Sequence, residues 1–381
     1  AKAEGFLNQG EFLPALEAEL RALCADRSWV MSAHDADLEN FNRTRYYGDL
    51  GATARALLAA TVSWWFQDQL PADLRADIKA NIMLRVLEPY REVFQTGEIK
   101  NGLWWMTTHS NWNAVCTANT VATALTVCDS VEERAEFIAA MEISNPFFLN
   151  GFTPDGYCSE GIGYWNFGFG YYLYMAAMVR LATGGKLDIL DHPVVENTCA
   201  YAKNIMIDKS VAPAFADCAV NARPSTAILW LIQNTHPHTL RQRITIEDTS
   251  ILKLLAFALI AFAEPTAAEN LPPETPTIEP RHLFAEGGVF ICRSLHGEQT
   301  FGAAIKGGHN AEIHNHNDVG SYLVVINNHA YLVDPGAEQY TRRTFSKDRY
   351  VSKILNSYGH PVPVVAGKLQ STGRAAKGVF T

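Results

Sequence analysis

From Phe12 to about Ala263, apolar residues recur at the three-and-four spacing of an amphipathic helix in one segment after another. "TARALLAATVSWWF" (53–66), "AVCTANTVATALTV" (114–127), "YYLYMAAMVRLA" (171–182) and "SILKLLAFALIAFA" (250–263) are examples. The short stretches between them carry Pro, Gly, Asp and Asn, as helical hairpins require. An all-helical domain over 1–263 is expected. "EPTAAENLPPETPTIEP" (264–280) then places five prolines in seventeen residues, which neither a helix nor a central strand tolerates, and reads as a linker. Beyond it the period falls to two. "GGVFICRSL", "TFGAAIKGG" and "SYLVVINNHAYLVD" read as strands, with Asn327-Asn328 at a tight hairpin turn. An antiparallel β domain is expected over 281–381, and "KGVFT" at its end reads as mid-strand, so the sheet is expected to be truncated there.

Composition narrows the classes. Hydrophobic residues at 48% against charged residues at 19% describe a globular chain. A net charge of −9 leaves no global basic footprint for nucleic acid, so an acidic ligand needs a local cationic pocket. The strongest apolar run, from Ile251, is 13 residues long with a lysine inside, too short for a membrane span and readable as a buried helix. Seven cysteines without a C-x-x-C pair do not suggest a disulfide framework. The opening "AKAEGFLNQG" has neither an initiator Met nor a signal-peptide core, which reads as a mature or excised segment.

Polar chemistry concentrates in four places. "EIHNHND" (312–318) carries two histidines, two asparagines and two acidic groups in seven positions. On an extended chain His314 and His316 would point the same way, into one pocket, to bind a metal, to move protons or to divide those tasks. The plain alternative is a polar turn. "TTHSNWNAVC" sets His109, Asn111 and Asn113 just ahead of a helix, where Ser110 or Asn111 would also serve as a cap. Around Tyr164, "NPFFLNGFTPDGYCSEGIGYWNFGFGYYLY" (145–174) mixes a Pro-Asp-Gly turn with aromatics that either hold sugar rings or fill a core. Asp334 in "YLVDPG" and His360 in "NSYGHPVPVV" are each ordinary loop residues alone. With His316 they make two imidazoles and a carboxylate, a set that suits zinc with one position left over, although it lacks a compact motif.

Taken in order, "HDADLENF", "YYGDLGAT", "NWNAVC", "PDGYCSEGIGYWNFG", "HNHNDVGSYLV", "LVDPG" and "NSYGHPVPVV" resemble the heparinase II/III-like polysaccharide lyases, which include heparin/heparan sulfate lyases and oligoalginate lyases. The resemblance implies an α + β multidomain fold, an incomplete (α/α) toroid followed by an antiparallel β-sandwich. It implies a structural zinc on His316, Asp334 and His360, with His314 left to face the sugar. It also implies β-elimination on a uronic-acid glycan, heparin/heparan sulfate-like or alginate-like. Tyr164 and His314 would be the acid/base pair, and Asn111, with His109 and Asn113 as neighbours that could replace it, would neutralise the sugar carboxylate with donors placed where charge develops. A phenol near pKa ~10 needs nearby positive charge to act as base. Asn113, Trp165, Tyr350 and Arg349 are expected substrate contacts, Arg349 lying in a cluster with Arg342, Arg343 and Lys347. The implied partner is an acidic poly- or oligosaccharide, without nucleic acid or a membrane span. A homodimer is a further association to consider, and the implied location is periplasmic or secreted. Two other classes fit the same residues: a non-catalytic acidic-glycan-binding protein, and a zinc-dependent hydrolase that activates water on His316, Asp334 and His360.

Overall fold

The computed structural model describes residues 1–99, 102–240, 279–294 and 299–381. The helix expected at 250–263 and all but the last two residues of the expected linker lie outside them. The described contacts divide the chain into two compact units, Ala1–Phe148 with Ala177–Leu187, and Leu149–Ala176 with Asp188–Thr381.

In the first unit, Asp49 starts the helix Leu50–Trp65 by accepting a bond from the Ala52 amide at 2.7 Å, which satisfies one of the free N–H groups of the first turn. This helix buries Ala52, Ala56, Ala59, Ala60 and Val62, small residues three and four apart. That smooth stripe lets it pack against Asn111–Val127, which is buried nearly all round from Asn113 to Ala124. Thr120 and Thr123 sit in that buried helix by donating to the carbonyls of Cys116 and Asn119, each at 2.7 Å. Stacked rings of Tyr90, Trp105 and Phe137 complete the core.

The second unit holds helices and all the described strands. Helical residues 162–182 form one run interrupted by a π-helical turn at Trp165–Phe169, of which 162–176 belong to this unit and 177–182 to the first. The helices Pro193–Asn204 and Thr226–Thr235 follow. Seven strands are described: β1 (Arg281–Phe284), β2 (Val289–Arg293), β3 (Phe301–Lys306), β4 (Gly308–Asn310), β5 (Tyr322–Ile326), β6 (His329–Leu332) and β7 (Gly373–Gly378). An antiparallel sheet runs β1-β2-β3-β5-β6, and β4 pairs with β7. The alternation is visible in β2, where Val289 and Ile291 are buried and Phe290 and Cys292 half-buried. Tyr157, Tyr201 and Phe284 pack ring against ring, which joins the helices of this unit to β1.

The structure thus contains a helical region followed by an antiparallel sheet, as the change of period implies. The β5–β6 turn is the expected Asn327-Asn328 pair, with both residues at positive φ (50° and 62°), the twist a two-residue hairpin needs. Asn327 also exchanges hydrogen bonds with Thr300, fixing the turn to the start of β3. All seven cysteines are unpaired. Among the described residues no helix is long and apolar enough to cross a membrane.

Candidate functional site

"EIHNHND" is the loop between β4 and β5, and it is not extended. His314 has φ 56°, in the left-handed region, so the alternation expected of the two histidines does not operate. They converge by a different route. Asp217, immediately after Ala216 at φ 61°, presents its carboxylate to both rings: Oδ2 lies 2.8 Å from His314 Nδ1, and Oδ1 lies 2.9 Å from His316 Nε2. Arg349 donates to the same carboxylate at 2.8 Å and the Tyr340 hydroxyl at 3.1 Å. A left-handed non-glycine residue costs on the order of 1–2 kcal/mol. Here two of them stand on either side of one carboxylate, and the bonds they permit are what hold them.

Two glycines explain how the Asp217 segment is gripped. Gly161 and Gly336 both have positive φ, and a Cβ on either would come within 2.6 Å of a backbone oxygen, of Phe215 or of Cys218 respectively. The chain passes between "SEGIGY" and "DPGA", and the Ala337 amide donates to the Cys218 carbonyl at 2.9 Å.

Around His314 the groups are aromatic and acidic. Its ring stacks on Tyr164, with centroids 4.1 Å apart and planes 21° from parallel. The Tyr164 and Tyr340 hydroxyls are 2.5 Å apart, and His314 Nε2 lies 3.4 Å from Glu160 Oε2. Burial would raise the Asp217 carboxyl, but the bonds from His314 and His316 and the Arg349 guanidinium hold it well below the usual carboxylate range. Tyr164 moves the other way. Burial, with the Asp217 and Glu160 charges adding to it against the Tyr340 bond, pushes its phenol up to about 12. The Arg349 guanidinium acts the other way but does not offset the burial, so the phenol is held in its protonated form through the neutral range.

Behind this group, His316, Asp334 and His360 are all buried, and one ligand atom from each lies within 4.8 Å of the others. Two orphaned atoms test whether a metal suits them. His316 gives its Nε2 side to Asp217, and its Nδ1 is buried without a hydrogen-bond partner among the described residues. His360 gives its Nδ1 side to Asp334 Oδ2 at 2.8 Å, and its Nε2 is likewise buried without a partner. Buried polar atoms are ordinarily satisfied, so two bare imidazole nitrogens beside a carboxylate fit a cation with a taste for nitrogen and oxygen, such as zinc. Asp217 would then be the carboxylate behind a ligating histidine, a common support for such ligands. Asp334 is itself fixed by Ser321 at 2.9 Å and by the Gly336 amide at 3.1 Å. Burial raises its carboxyl, but the His360 bond and charge, the Gly336 amide and the His316 charge together outweigh that and lower it.

Several expected contacts are corrected by their surroundings. Trp165 is fully buried, its indole N–H donating to the Thr198 carbonyl and its ring lying against Phe169 and Tyr201, so it belongs to the core. Asn113 is fully buried too, and its amide nitrogen bonds Met106 O, Ser144 O and Ser144 Oγ, which ties the helix Asn111–Val127 to its neighbours. Arg349 spends Nε on Asn315 O, one terminal nitrogen on Thr344 O and the other on Asp217, so it braces the loop instead of reaching for a sugar. Tyr350 exchanges bonds with Asn315. In the first unit Asn111 is buried in the first turn of its helix, and His109 is exposed, its ring against Phe147. Ser110 occupies the cap position without a side-chain bond to the helix.

Asp217, Glu160 and Tyr340 escaped the sequence reading. Asp217 did leave a trace: it is the single charged residue in "VAPAFADCAV" (211–220), and a lone carboxylate in an apolar stretch must find partners when buried.

Among solved structures the chain is similar to Heparinase III, at 12% identity and a TM-score of 0.59 over 85% of this chain and 48% of that one. It is similar to a heparinase III gene product at 14% identity and a TM-score of 0.58, over 97% and 55%. Heparan sulfate lyase HepC from Pedobacter heparinus matches at 12% identity and a TM-score of 0.54, over 89% and 47%. The chain spans about half the length of the solved structures it matches. No family model matches the chain, and no curated protein does. The fold is heparinase-like.

Proposed function

We propose that this chain is part of a polysaccharide lyase that cleaves a uronic-acid-containing glycan by β-elimination, with the helical region forming an incomplete toroid and the sheets a sandwich. The observation that carries the reading is the stack of His314 on Tyr164, with Asp217 behind the imidazole. Elimination must take a proton from the carbon bearing the carboxylate and give one to the departing glycosidic oxygen. With its Nδ1–H donated as a hydrogen bond to the Asp217 carboxylate, His314 takes the substrate proton at Nε2, and the resulting imidazolium lies between Asp217 and Glu160. The electron pair of that C–H bond becomes the new double bond as the C–O bond breaks. Tyr164 donates its proton to the leaving oxygen; once product has left, His314 gives up the proton it took and Tyr164 regains one through the Tyr340 hydroxyl, which bonds both side chains. Neutralising the sugar carboxylate falls to Asn111, or to His109 two residues ahead of it.

His316, Asp334 and His360 would hold a zinc ion, whose contribution is to cross-link the loop after β4 to the segments after β6. Their burial supports a structural metal over one that activates water, because a catalytic metal keeps a coordination position that substrate can reach. An acidic glycan substrate would be met in the periplasm or outside the cell, which is the location this reading implies.

The test is a panel of acidic polysaccharides followed by the ultraviolet absorbance of the unsaturated product. A rise in absorbance with at least one uronic-acid glycan is expected. New reducing ends without absorbance would establish a hydrolase instead, and binding without either product a glycan-binding protein.

The two histidines of the loop should separate. His314→Ala is expected to cut turnover while metal content and melting temperature stay near wild type. His316→Ala should lose metal and melting temperature first, since a metal bound only by the folded state stabilises it by mass action. Chelation should mimic His316→Ala, with activity fading only as the fold loosens. Metal analysis, thermal melts and turnover on both variants check this. Metal lost from the His314 variant and kept by the His316 variant would reverse the roles.

A further inference from the structure

The ends of "EIHNHND" meet at a residue outside it. Lys306, the last residue of β3, points to the buried face of the sheet and is 1% exposed. Its ammonium lies 2.7 Å from Asp318 Oδ1 and 3.4 Å from Glu312 Oε2, the last and first residues of the loop. The same ammonium stands 5.8 Å from the centre of the Phe215 ring, two residues before Asp217. Its backbone completes the arrangement: the Lys306 amide donates to Ser321 O at 2.8 Å, and its carbonyl accepts from Gly320 at 2.7 Å. Ser321 in turn holds Asp334.

We infer that Lys306 is a positioning residue that closes the 312–318 loop by clamping both of its ends, and so sets where His314 and His316 stand. Nothing about packing asks for a lysine at this place. The neighbouring inward positions of β3 are Gly302 and Ala304, and a buried ammonium is costly unless it is paired. A methionine would fill the volume. What the ammonium adds is direction: two carboxylates six residues apart are drawn to one point, and the chain between them must bulge toward Asp217. The clamp also spares the loop from relying on the metal set alone, because Glu312 and Asp318 lie outside it.

This inference rests on the proposed lyase site, yet it is read by signals that do not need activity. Lys306→Met/Asp318→Asn removes the cation together with its nearer counter-charge and nearly preserves shape. In histidine-labelled protein, the His314 ring signal in NMR should be displaced by the face of Tyr164 on which it stacks. In the paired variant that signal is expected to move toward an unstacked position. Metal affinity and turnover should each fall roughly 10- to 100-fold, as when a supporting partner behind a metal ligand is removed, with KM little changed. Glu312→Gln loosens only one arm and should shift the His314 signal partway at a native melting temperature, so a failure of the paired variant to fold leaves the clamp testable. Native His314 signals and metal affinity in a folded paired variant, or an unmoved signal in Glu312→Gln, would overturn it. A wild-type protein inert on every glycan would sink the lyase reading and leave these two signals to judge the clamp.

Discussion

Tyr164→Phe is expected to lose about 10²- to 10⁴-fold of turnover while binding its glycan nearly as tightly as before. The ring that stacks on His314 remains, so the pocket keeps its shape, and only the hydroxyl shared with Tyr340 is gone. The pH profile then tells acid from base. A phenol held protonated up to about 12 gives no rising limb through the neutral range, whereas a phenolate base would. Turnover of the Phe variant within a few-fold of wild type would reassign Tyr164 to packing. A rising limb that vanishes in the variant would make it the base instead.

Asp217→Ala should be the most damaging single change in the second unit. The carboxylate accepts from His314, His316, Arg349 and Tyr340 at once, and its removal leaves a half-buried guanidinium and two imidazoles facing a hole. Breaking a buried ionic partnership of this kind costs roughly 3–5 kcal/mol. A lowered melting temperature, weakened metal binding and lost turnover should therefore appear together. Asp217→Asn separates charge from shape: it fills the space but cannot hold the His314 tautomer as a carboxylate does, so turnover should fall further than stability. If the Asn variant turns over normally, the carboxylate is not what orients His314.

The parts of this protein that were legible in its sequence are those written in local periodicity. Helices at Leu50–Trp65 and Asn111–Val127, the β5–β6 hairpin and the switch from one period to the other depend on neighbours within a few residues. His316, Asp334 and His360 were nameable because the family pattern carries them, although 44 residues separate the first from the last. Asp217 was not legible, because its partners lie 97 to 132 residues away and no spacing rule joins them. Trp165 and Asn113 misled for the reverse reason. Trp165 stands one step from Tyr164 and Asn113 two steps from Asn111, and each step along a helix turns a side chain by about 100°, so closeness in sequence does not put side chains on one face.

That rotation also bears on the π-helical turn at Trp165–Phe169. A π turn is a helix carrying one residue too many, closed by poorer hydrogen bonds, and such turns tend to survive where they serve a site. Striking out a single residue there would restore a regular helix through 162–182 and swing its Tyr164 end about 100° relative to the rest. The stack of Tyr164 on His314 therefore depends on the length of this turn as well as on the two residues that form it.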